Sequence, residues 1–154
     1  MKKIFLSLVV MLIGVSVFAS EQEAKTFFNR YVSAANNYST SVPNFYSPNA
    51  KIIRQVIKPN GALVNVPFKM SDYKTQMKIS SSVAKMKKYK NYYSDIKVTK
   101  INDKTYKISA YRQPSTGGPK LKTETTVQEQ KGGNWLIIEE LMQTKEQVFL
   151  KYAK

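Results

Sequence analysis

The chain has 154 residues, with 25 basic and 10 acidic side chains, no histidine and no cysteine, and a formal net charge of +15. Without histidine the commonest general base and metal ligand is missing. Without cysteine as well, Ser-His and Cys-His nucleophilic centres are excluded, and a zinc site would have to be built from carboxylates alone. No metal and no cofactor are expected. No disulfide can staple the fold and no lipobox cysteine is present, so the sequence predicts a domain held by its core and no lipoprotein anchor.

Met1-Lys2-Lys3 forms a short positive stretch, and Ile4 to Ala19 is apolar apart from Ser7, Gly14 and Ser16. Val17-Phe18-Ala19 presents compact residues at the −3 and −1 positions of a signal peptidase site, with cleavage expected before Ser20. The apolar run is shorter than the roughly 20 residues that a membrane-crossing helix needs. Residues 1–19 therefore read as a Sec-type signal peptide and residues 20–154 as one domain, exported to the periplasm or beyond. Removing Lys2 and Lys3 leaves 23 bases against 10 acids, a net +13.

Residues 21–38 predict an amphipathic helix, with Ala24, Phe27, Phe28, Tyr31, Ala35 and Tyr38 recurring at three- and four-residue steps. Residues 37–49 are rich in Ser, Asn and Pro and hold at most a helical turn near Pro43–Tyr46. Two extended runs, Ala50–Lys58 and Ala62–Lys69, flank Pro59-Asn60-Gly61, a strong hairpin signal. Pro67 makes the second run an edge strand or marks its end. Ser71-Asp72 opens a second helix to about Lys87.

From Tyr92 the period becomes two. Tyr92, Ile96 and Val98 alternate with polar residues, and after Asn102-Asp103 so do Tyr106, Ile108 and Ala110. Gly117-Gly118 lies in a loop before a strand through Leu121, Thr123, Thr125 and Val127. Gly132-Gly133 leads into a last strand, Trp135 to about Thr144, whose Leu136-Ile137-Ile138 suggests burial on both faces. Neither Gly pair opens a helix, so no phosphate loop is predicted. These four segments form an antiparallel meander.

The order helix, hairpin, helix, four strands resembles the nuclear transport factor 2-like superfamily, with its SnoaL-like and ketosteroid-isomerase-like members. Three stretches carry the resemblance: Asn44-Phe45-Tyr46-Ser47-Pro48-Asn49-Ala50-Lys51-Ile52 before the first strand, Ser71-Asp72-Tyr73 opening a helix after the hairpin, and Gly133-Asn134-Trp135-Leu136-Ile137 entering the last strand. The resemblance implies an α+β cystatin-like fold, a curved antiparallel sheet wrapped around the N-terminal helix. Its open cone would hold a small apolar ligand, and homodimers would form through the outer sheet face. It also implies where chemistry would lie, a pocket carboxylate acting with a tyrosine.

Glu139 and Glu140 are the candidates for that carboxylate. They lie on opposite faces of the last strand if it stays regular through residue 140, so one would point inward, against the alternatives that the strand end is already solvated there or that the acid pairs with a lysine. Phe28, Tyr31, Tyr38, Tyr46 and Trp135 are candidates to line the cone, against the alternative that they pack an ordinary core. Thirteen bases and only Asp95 and Asp103 occur between Lys74 and Lys122, densest at Lys85, Lys87, Lys88 and Lys90. Such a field favours an anionic lipid, glycan or acidic protein face, although lysine also decorates surfaces without a partner. Nucleic acid is disfavoured by export. The sequence thus predicts an exported binding module without catalysis, with two alternatives: a small isomerase or lyase using the pocket acid, and an assembly subunit of an envelope complex.

Overall fold

A computed structural model describes residues 20–153; the expected signal peptide lies outside the described residues. Helix α1 spans 20–36. A 3-10 turn at Val42–Phe45 leads into strand β1, Tyr46–Ile57, which pairs with β2, Leu63–Phe68. Helix α2 covers Met70–Met86. The meander follows as β3 (Asn91–Asn102), β4 (Thr105–Pro114), β5 (Leu121–Glu129) and β6 (Trp135–Thr144), and a 3-10 turn at Gln147–Tyr152 closes the described chain.

All six strands form one sheet in the order β2-β1-β6-β5-β4-β3. The hairpin and the meander are antiparallel as predicted, but β1 joins β6 in parallel, so the sheet is mixed. That join needs a crossover, which α2 and the whole meander supply. Pro67 lies in the edge strand β2, where its missing N–H costs no internal ladder bond. On the inner face, Ala24, Phe27, Phe28 and Tyr31 of α1 pack with Tyr46, Ile52, Tyr106, Ile108, Val127 and Ile137. Each large apolar side chain buried there contributes about 1.5–3 kcal/mol. The outer face carries charge pairs instead, Lys51–Glu139 at 3.7 Å and Lys122–Glu124 at 2.8 Å.

Three register breaks aim the inner-face side chains. In β1, Tyr46 faces Ile137 while Lys51 already faces Glu139, and the intervening Pro48 has no N–H to give to the ladder. In β3 one of two breaks falls between Ser94 and Lys97, around Asp95, whose φ of 55° is left-handed. The alternation predicted from Tyr92 therefore fails across the bulge: Tyr92 is exposed, and Tyr93 packs on the core with Ile96 and Val98. In β6, Val127 faces Ile137 and Thr126 faces Glu139, which leaves Ile138 as the extra residue.

Both helices stop on a left-handed residue that is not glycine. At the end of α1, Ser39 N–H donates to Ala34 O and Tyr38 N–H to Ala35 O, with Tyr38 at φ 59°. At the end of α2, Tyr89 N–H donates to Ala84 O and Lys88 N–H to Lys85 O, with Lys88 at φ 51°. These paired bonds satisfy the last carbonyls of each helix in the geometry usually given to glycine. Tyr38 thus lies beyond α1, not on it as the periodicity predicts. Because the Lys88 side chain is exposed, Lys88→Gly is expected to raise stability by roughly 0.5–1 kcal/mol through relief of the left-handed backbone, read as a higher urea midpoint at unchanged slope.

Candidate functional site

Glu140 is wholly buried on the inner face of β6. Two carboxylate oxygens meet four donors there. Arg54 Nη1 donates to Oε1 at 2.9 Å, and the Tyr73 hydroxyl donates to the same oxygen at 3.2 Å. Tyr46 donates to Oε2 at 2.5 Å, and Tyr31 lies 3.2 Å from Oε2 and 2.8 Å from the Tyr46 hydroxyl. Arg54 Nη2 in turn donates to Tyr73 at 2.5 Å, with its guanidinium 4.8 Å from the centre of the Tyr73 ring. The five side chains come from α1, β1, α2 and β6.

Local structure explains each position. Arg54 shares the inner face of β1 with Ile52 and Val56, and the parallel register sets Ile52 beside Glu140 and Arg54 beside Met142. Tyr31 lies on the buried stripe of α1, and Tyr73 lies in the first turn of α2, within its partly buried face. Burial raises the Tyr31, Tyr46 and Tyr73 hydroxyls above their ordinary range, and the negative charge of Glu140 adds to it, while at Tyr73 the charge of Arg54 opposes the rise. All three therefore remain protonated donors at neutral pH.

Above this cluster lies a cavity of about 490 Å³, within the usual range for small-molecule sites. Arg54, Tyr73, Tyr31 and Met142 form its base, and Met77, Val83 and Ala84 of α2 wall one side. Ala35, Tyr38, Val42, Pro43, Tyr89, Asn91 and Tyr93 also line it. Among the described residues no cluster of acidic side chains could hold a metal ion.

The predicted site residues separate. Tyr31 and Tyr38 line the cavity, whereas three others do not. Phe28 is core, edge-on to Tyr93 at 5.4 Å. Tyr46 lies beneath the cavity, turned onto Glu140. Trp135 packs on Tyr106 at 5.8 Å, because strand entry places it at the far end of β6 from Met142. Glu139 points outward to Lys51 and is half-exposed. Lys85, Lys87, Lys88 and Lys90 are exposed at and just beyond the end of α2. Sequence reasoning missed Arg54, Tyr73, Asn91 and Tyr93; for Arg54 the available signal was an arginine at an inward position of a strand otherwise lined by Ile and Val.

No family model and no curated protein matches the sequence. Solved structures do match in shape. An NTF-2 like protein of unknown function from Shewanella oneidensis superposes with a TM-score of 0.61 at 11% identity, over 80% of this chain and 98% of the other. The chain has the NTF-2-like, cystatin-like fold. A cystatin-like domain from Nostoc punctiforme gives 0.59 at 14% identity over 86% and 84%, and a candidate scytalone dehydratase from Novosphingobium aromaticivorans gives 0.60 at 8% over 84% and 86%. At these identities the likeness concerns the fold and leaves the chemistry to this chain's own residues.

The buried pair should dominate stability. Glu140→Gln keeps the shape but strands the Arg54 charge, so a loss of about 3–5 kcal/mol is expected in urea melts. Glu139→Gln removes only an exposed pair and should cost less than about 1 kcal/mol. The raised tyrosines set an alkaline limit. Their folded values exceed the unfolded value of 10.0, so their stabilisation is intact below about pH 10 and is lost as pH rises toward the folded values. Tyrosinate absorbance should accordingly show a late group of the ten tyrosines that ionises only with unfolding; smooth titration of all ten in the folded protein would contradict this.

Proposed function

We propose that the chain is an exported, non-catalytic binding module whose cone takes a small, largely apolar ligand. The engagement of Glu140 carries this reading. A general base needs a lone pair directed at substrate, and here four donors occupy the carboxylate, which supports a role in fixing the cavity base. The predominantly apolar and tyrosyl walls suit a ligand with an apolar body. Export rests on the character of residues 1–19.

A catalytic reading draws on the same residue, since Glu140 is an inward acid in a closed apolar setting with tyrosines beside it. It requires substrate to displace Tyr73 or Arg54 from Oε1.

The exposed end of α2 supports a second contact. Ile79, Val83 and Met86 are exposed at helical spacing, flanked by Lys78, Lys85, Lys87 and Lys88. An apolar stripe edged with lysines suits the surface of an anionic bilayer.

N-terminal sequencing of the exported protein should begin at Ser20. The neutral probe N-phenyl-1-naphthylamine should bind with enhanced fluorescence, and Ala84→Trp, which fills the cavity from α2, should weaken it at least tenfold; equal binding by both would reject the cavity as the site. Cosedimentation with phosphatidylglycerol vesicles should fall steeply from about 50 to 500 mM salt, because exposed charges are screened over that range. Salt-independent binding would reject the lysine contact.

A further inference from the structure

Arg112 is the second buried arginine of the inner face, 8% exposed, and unlike Arg54 it has no acid. Among the described residues no carboxylate lies within ion-pair distance of it. Nη1 donates to Asn91 Oδ1 at 2.8 Å and to the Tyr89 hydroxyl at 3.3 Å, and Nη2 donates to Gln143 O at 3.4 Å. Its Nε is buried without a hydrogen-bond partner. Since Glu140 is balanced by Arg54, the interior beside the cavity carries one uncompensated positive charge. A buried charge left in that state is costly unless something neutralises it.

The groups between Arg112 and the cavity are arranged as donors. Asn91 Oδ1 accepts from both Arg112 and Tyr89, which fixes the amide so that Nδ2 is directed elsewhere. Among the described residues that Nδ2 donates to nothing, and the Tyr93 hydroxyl likewise makes no hydrogen bond; both residues line the cavity. Tyr93 is held protonated by burial and by the charge of Glu140, against the opposing pull of Arg112. Asn36 brackets the Asn91 backbone at 2.9 Å on both sides, so this corner is rigidly placed. Also at the cavity lining, Tyr38 keeps a left-handed backbone and a buried hydroxyl without a partner among the described residues, a strained position of the kind that gathers at binding sites.

We propose that the cavity recognises a carboxylate amphiphile, its anionic end held by Asn91 Nδ2 and the Tyr93 hydroxyl against the charge of Arg112. The apolar body runs from that corner toward Met77, Val83 and Ala84. Among the described residues the Asn91–Tyr93 corner shares no hydrogen bond with the Glu140 cluster, and the charge of Glu140, which is felt at Tyr93, is balanced by Arg54. The inference rests on the binding reading above and adds the chemistry of the ligand's head.

Decanoate and decan-1-ol, matched in chain length, test it by calorimetry at pH 8 on the purified protein. Decanoate is expected to bind at least tenfold more tightly than the alcohol. Arg112→Gln and Tyr93→Phe should remove most of that preference, and Arg112→Lys should retain part of it. Tyr93→Phe loses one hydroxyl that makes no hydrogen bond among the described residues, so it reports even if Arg112→Gln fails to fold. Equal affinity for the two ligands, or a preference untouched by Tyr93→Phe, overturns the carboxylate corner and leaves the binding module standing; Arg112 would then serve the fold alone, through Asn91, Tyr89 and the Gln143 carbonyl. Binding of neither ligand, with N-phenyl-1-naphthylamine bound, also overturns it. If all three fail to bind, the module reading falls with it.

Discussion

The ion pair between Glu140 and Arg54 is the interaction on which the inner face depends, because leaving either charge buried without the other is strongly destabilising and burying both requires every donor to be in place. The requirement reaches four elements. Tyr31 is supplied by α1, Tyr46 and Arg54 by β1, Tyr73 by α2 and Glu140 by β6. Most of α2 is solvent-exposed, and Tyr73 is among the few side chains by which it meets the core. The polar cluster therefore fixes where α2 lies, and α2 in turn makes one wall of the cavity. Low local dielectric strengthens each bond of such a network and makes a missing one more costly.

Much of this architecture was legible in the sequence because periodicity and turn chemistry act locally. Both helices, the Pro-Asn-Gly hairpin and the meander follow from apolar spacing, and Gly61, Gly132 and Gly133 take the positive φ their turns require. Faces were legible only up to the bulges. Alternation places Ile138 and Glu140 on one side of a regular β6, yet the extra residue at Ile138 puts Ile137 and Glu140 on the same inner face. It also accounts for three consecutive aliphatic residues there without burial of a second face. In β3 the same effect exchanges Tyr92 for Tyr93. A bulge depends on the partner strand's register, and that is a non-local property.

The two kinds of base are divided by position. The described lysines are on the surface, while two of the three arginines, Arg54 and Arg112, are on the concave face. Guanidinium is more weakly hydrated than ammonium and offers a planar set of donors, so it tolerates burial that lysine resists. Counting charge makes the arginines a minor share of an excess dominated by lysine. Reading their strand parity would have picked them out, since Arg112 continues the inward series Tyr106, Ile108 and Ala110.

On the binding reading, surface and interior charge act at different ranges. Lys78 of α2 and Lys87 just beyond it lie at the cavity lining, and Lys85 and Lys88 are exposed at the same end of the helix. A field of that sign raises the encounter rate of an anion and fades with salt over a Debye length of about 8–10 Å. Arg112 lies behind Asn91 and is shielded from solvent, so its influence on a bound carboxylate is screened far less. Salt should then change how fast an anionic ligand arrives more than how firmly the inner corner holds it. The same separation explains how one chain can carry a strongly basic exterior without its cavity selecting for charge by lysine alone: selection rests on one arginine, placed by strand parity and left without an acid.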